Sequence, residues 1–100
     1  MELQWQYDAI QEAGAEAAAL VVAPIETVEN WCQGEGIGYP VLADSRHQVS
    51  EAYGVYNLFS DRLAAPAVFV VDTDGRIVWS YVGQRLRDFV GGQTILEHLP

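Results

Sequence analysis

The 100-residue sequence predicts a single α/β domain, residues 1–100, with a mixed sheet of about four strands flanked by about four helices. Three observations predict it. Segments with helical spacing alternate with short apolar runs, as in strands joined by helical crossovers. Two of those runs, residues 17–23 and 67–72, are apolar without alternation, the pattern of strands covered on both faces. The pair Asp74-Gly75 then separates "PAVFVVD" from "RIVWSYVG", a hairpin signal that adds an antiparallel strand.

The elements follow in the order α-β-α-β-α-β-β-α. "ELQWQYDAIQEAG" places Leu3, Tyr7 and Ile10 on one helical stripe and ends at Gly14. Trp5 lies on the other side of that wheel. "AEAAALVVA" is the first strand, and Pro24 suits the first turn of the next helix. That helix, "PIETVENWCQ", aligns Ile25, Val28 and Cys32, and Gly34, Gly36 and Gly38 end it. "YPVLAD" is a short strand. Asp44 or Ser45 caps "SRHQVSEAY", whose Val49, Ala52 and Tyr53 are expected to face inward. "VYNLFSDRLAA" is a loop rich in large apolar residues. After the hairpin, "QRLRDFVGG" is irregular, and "QTILEHL" closes the chain as a helix burying Ile95, Leu96 and Leu99.

Composition narrows the function. No apolar run approaches about 18 residues, so no membrane-spanning helix and no membrane partner are expected. "MELQWQYDAI" has neither the features of a secretory signal nor those of an Arg-rich transit peptide, so the expected location is cytoplasmic. The net charge is −9, and the five basic residues are all Arg, the first being Arg46. Nucleic acid is not an expected partner, because phosphate contacts need basic clusters. The acidic balance serves solubility through self-repulsion. One cysteine permits neither an intramolecular disulfide nor a Cys-based zinc cage, and His47 and His98 stand far apart; no metal and no cofactor are expected.

"AAPAVFVVDTDGRIVWSYVG", preceded by "YPVLADSRHQVSEAYGV", resembles the thioredoxin-like peroxiredoxins of the alkyl hydroperoxide reductase and thiol-specific antioxidant family. "YDAIQEAGAEAAALVVAPIETVENW" looks like the middle of the same proteins. The resemblance covers nearly the whole chain and rests on order and spacing. It implies a thioredoxin-like sheet and a redox, antioxidant chemistry in which a thiolate attacks the peroxide O–O bond. The family's thiolate sits at a helix N-terminus, where N–H groups and the helix dipole favour it. In the family that cysteine precedes the "ELQ…Y" helix by a few residues. Here Met1 stands near that place, so the chain reads as N-terminally truncated, with the family's central strand absent. The family's Arg ahead of the "FVVD" strand is replaced by Ala65-Pro66. Proline there resembles thioredoxins and implies a cis Ala65–Pro66 bond.

Cys32 is the only thiol. One reading makes it a peroxidatic or regulatory cysteine, or half of an intermolecular disulfide. The favoured reading makes it a buried, slowly reacting apolar residue at the far end of its helix, sharing a stripe with Ile25 and Val28. His47 is expected to be solvated, and His98 lies near a helix C-terminus; neither has a nucleophile in sequence reach. Asp72 and Asp74 read as turn residues that satisfy backbone N–H groups rather than as a metal site. "VGGQ", residues 90–93, lacks the length and the Lys of a phosphate loop. Tyr53, Tyr56 and Phe59 read as packing, with a hydrophobic binding surface as their functional version.

The absent strand would lie between "AALVVA" and "PAVFVV". Buried unpaired backbone groups cost roughly 1–3 kcal/mol each, against a total stability of about 5–15 kcal/mol. Three arrangements answer this: the two strands close on each other, another chain covers them, or the protein is longer. Trp5, off the core stripe, suits an interface. The expected function is a peroxiredoxin-like binding or assembly module, a homodimer, without its own peroxidase activity. The alternative is a thiol-dependent oxidoreductase using Cys32, or a cysteine from a preceding segment or partner, which leaves enzyme status open. A structural protein without a redox role is the third reading.

Overall fold

The computed structural model describes residues 2–85 and 89–100, with side chains from residue 6 onward. Its elements are α1 Glu2–Glu12, β1 Ala19–Val21, α2 Ile25–Glu35, β2 Val41–Ala43, α3 Gln48–Ala52, β3 Ala67–Val71, β4 Ile77–Val82 and α4 Gly92–Glu97. This is the predicted order. They form two compact units, one from Ala17–Ala64 and one from Met1–Glu16 with Ala65–Pro100. Each unit holds two strands. Among the described residues β1 ladders with β2 and β3 with β4, so direct closure of the two expected neighbours is not the arrangement adopted.

In the Ala17–Ala64 unit, β1 and β2 run parallel, with Ala19 opposite Val41 and Val21 opposite Ala43. The Ala19 N–H donates to the Pro40 carbonyl at 2.9 Å, and the Asp44 N–H donates to the Val21 carbonyl at 2.7 Å. α2 is the crossover and packs on β2. Pro24 stands one position earlier than expected, at the N-cap, where its missing N–H breaks no helical bond. Gly36 ends the helix in the left-handed conformation, φ 62°, and donates its N–H to the Cys32 carbonyl. Val28 is buried, but Ile25 is 57% exposed, which corrects the expected stripe. The reason is length: an 11-residue helix spans roughly 16 Å and a three-residue strand about 10 Å. The first turn of α2 outruns its support.

Neither Asp44 nor Ser45 occupies the N-cap position of α3. His47 does, with φ 50° and no side-chain cap. Asp44 acts from further back. Its carboxylate accepts the Ser50 N–H at 2.8 Å, the Ser50 hydroxyl at 2.8 Å and the Val49 N–H at 3.3 Å. Asp44 and Ser50 are both buried, whereas Val49, Ala52 and Tyr53, expected inward, are exposed. The Asp44–Ser50 bonds turn the Ser50 side of this short helix inward and the Val49 side out. Val55 supplies the apolar burial that follows.

In the other unit β3 and β4 are antiparallel, with Ala67 opposite Val82 and Val70 opposite Trp79. The register shifts at Val70/Val71, a bulge beside the turn. The turn is built as its sequence suggests. Asp72 Oδ1 accepts the N–H groups of Asp74 and Arg76, both at 2.9 Å, and Gly75 takes φ 83°. α1 buries Ile10 and ends at Gly14, φ 85°. α1 packs on α4. Gly92 allows this approach, because a Cβ there would run into the Gln6 side chain. Ile95, Leu96 and Leu99 are half-buried rather than buried. The expectation for "QRLRDFVGG" falls partly on residues 86–88, which lie outside the described residues.

Burial on both faces is not realised in either strand expected to have it. Val21 at the end of β1 is exposed, and Val71 at the end of β3 is 45% exposed. Each strand carries one ladder and belongs to a two-stranded sheet.

Two predictions follow from these contacts. Burial alone would raise the Asp44 carboxyl; the Ser50 N–H and hydroxyl and the N–H groups of Val49 and Gln48 outweigh it and hold the carboxyl below its usual range. A depressed folded value means that this stabilisation is complete above the unfolded carboxylate value, near about 4. It is lost as pH falls through the folded value. Asp44→Asn should therefore lower stability in urea at about pH 7 and flatten its fall toward about pH 3. Gly92→Ala should destabilise by about 1–3 kcal/mol, as overpacking does. Gln6→Ala in the same chain should restore much of that loss, a coupling that a double-mutant cycle in urea reads directly.

Candidate functional site

Cys32 lies in the last turns of α2, and its carbonyl takes N–H bonds from Gly36 and Ile37, the latter at 3.1 Å. The thiol is half-buried, which corrects the expectation of full burial. The same mismatch between a long helix and short strands accounts for it. Tyr39 is buried, 4% exposed. Burial pushes its phenol up, and the Cys32 side chain adds to the rise electrostatically. Tyr39 is thus within electrostatic reach of Cys32, a link that helical spacing did not reveal because Tyr39 lies beyond the Gly36 turn.

The Ala65–Pro66 segment enters β3. Ala65 is buried, and the Pro66 carbonyl accepts the Gly83 N–H at 2.7 Å, extending the ladder by one step. No cis peptide bond occurs among the described residues, so the expected cis Ala65–Pro66 bond is corrected to trans. The trans isomer is intrinsically favoured by about 0.5–1 kcal/mol, and this extended entry satisfies the Pro66 carbonyl without cis geometry.

The two histidines have separate partners. His47 Nδ1 lies 2.8 Å from Glu51 Oε1, and its ring stacks on Tyr56 at 4.0 Å and 9°. It is only partly solvated, contrary to expectation. His98 stacks on Trp79 at 4.1 Å, and its Nδ1 reaches the Thr94 carbonyl at 2.8 Å. The Ser50 hydroxyl donates to Asp44, not to a histidine. Among the described residues no three His, Cys, Asp or Glu side chains converge in a metal-binding group. Asp72 and Asp74 form the turn. The side chain of Trp5, expected at an interface, lies outside the described residues.

The loop after α3 has order that its composition hid. Asn57, Ser60 and Arg62 all take φ 58°. Asn57 Oδ1 accepts the Arg62 N–H at 2.8 Å, and Tyr56 bridges to Ala64. Asp61 Oδ1 accepts the Leu63 N–H, whereas its buried Oδ2 has no partner among the described residues. Leu58 and Leu63 are exposed. Of the aromatic cluster read as packing, Tyr53 is exposed and Tyr56 and Phe59 are half-buried.

The parallel β1–β2 pair with its helical crossover and the antiparallel β3–β4 hairpin, in a chain with four helices, make this an α/β protein, and its likeness to solved structures gives it the thioredoxin-like peroxiredoxin fold. The AhpC/TSA family matches residues 1–80, and the chain belongs to that family. Among solved structures it is similar to Enterococcus faecalis AhpC, with a TM-score of 0.88 and 22% identity over 98% of this chain and 60% of that one. Mycobacterium tuberculosis AhpC has a TM-score of 0.81 and 19% identity, with 92% of this chain and 52% of that one covered. The reduced Plasmodium vivax 2-Cys peroxiredoxin has a TM-score of 0.81 and 25% identity, over 94% of this chain and 51% of that one. The chain thus spans less than two thirds of the length of each. No curated protein matches it.

Half-burial sets an expectation for the thiol. Cys32 should react with a coloured disulfide reagent in the native state, more slowly than in the urea-unfolded chain. Equal rates in native and unfolded protein would show that the fold gives the thiol no protection.

Proposed function

We propose that this chain is a binding or assembly module of the AhpC/TSA family, cytoplasmic and homodimeric, without peroxidase activity of its own. The observation that carries the proposal is the β3–β4 hairpin. It exposes Val71, Ile77, Val78 and Val82 close together along two short strands. Contiguous exposed apolar side chains mark association surfaces. The turn adds charges of both signs, Asp72, Asp74 and Arg76. A two-fold pair can then set the Arg of each copy against the acidic turn of the other. The chemistry points the same way. A peroxidatic thiolate is favoured at a helix N-terminus, whereas Cys32 lies toward the C-terminal end of α2.

Family membership favours a second reading, a thiol-dependent oxidoreductase whose cysteine is Cys32 or comes from a preceding segment or partner. Hydrogen peroxide consumption with a dithiol reductant separates the two. Background turnover, unchanged by Cys32→Ser, is expected; turnover abolished by Cys32→Ser overturns the module reading.

Light scattering at micromolar concentration should give twice the chain mass, and a monomer would sink the dimer. Val78→Asp should weaken the dimer at least about tenfold, the scale of one buried apolar side chain. Trp5→Ala should cost about 2 kcal/mol if that residue is a central anchor; an unchanged dissociation constant removes it from the interface.

A further inference from the structure

We draw no further inference here: the strongest candidate, the closed loop between α3 and β3 that exposes Leu58 and Leu63 and holds a buried Asp61 Oδ2 unpartnered among the described residues, carries nothing because nothing in the structure shows what covers it.

Discussion

Backbone hydrogen bonding is the constraint on which the rest of this structure depends. A strand carries N–H and C=O groups along both edges, and water, side chains or a neighbouring strand must meet them. In this chain β1 meets β2 and β3 meets β4, and there the described ladders end. The described strands form two short pairs, each able to satisfy one side of its strands. The exposure of Val21 and Val71 belongs to the same fact. Side chains suited to an interior have been left at the ends of strands too narrow to make one.

Within each unit, polar contacts do what a larger core would otherwise do. Asp44 gathers two backbone N–H groups and a hydroxyl at the junction of β2 and α3, a place with little apolar mass. Asp72 does the same at the hairpin turn. Both are carboxylates that work as acceptors for main-chain donors. This gives the acidic composition a structural use beyond solubility. The exposed acids of α2, Glu26, Glu29 and Glu35, shape the field around their unit.

What was legible in the sequence was what local chemistry decides. Asp72 and Gly75 sit in the turn they build, so "DTDG" announced the hairpin. Gly14 and Gly36 ended their helices because only a residue without a Cβ enters the left-handed region freely. The alternation of helices and strands was likewise read correctly. Burial was less legible. Ile25 and Cys32 lie on the expected stripe of α2, but the strands beneath are too short to cover its length. Val49 and Tyr53 point outward because Asp44, lying before the helix, selects the Ser50 side. The cis Ala65–Pro66 bond was implied by resemblance alone, and no local feature of the sequence requires it; the extended entry to β3 is trans. Tyr39 escaped notice because no helical period links it to Cys32.

The arrangement of the two units along the chain has a consequence for how the protein is made. The Ala17–Ala64 unit is one unbroken stretch, whereas the other joins the first sixteen residues to Ala65–Pro100. During synthesis α1 emerges before α4, on which it packs. The β3–β4 hairpin closes over a turn of a few residues and can form in roughly 1–10 μs. The α1–α4 contact must instead close a loop that runs from Glu12 to Gly92, at an entropic cost that grows only by about 0.6 kcal/mol per doubling. The order of assembly is therefore set by translation more than by loop entropy. The inserted unit can settle while α1 still lacks α4 as a partner.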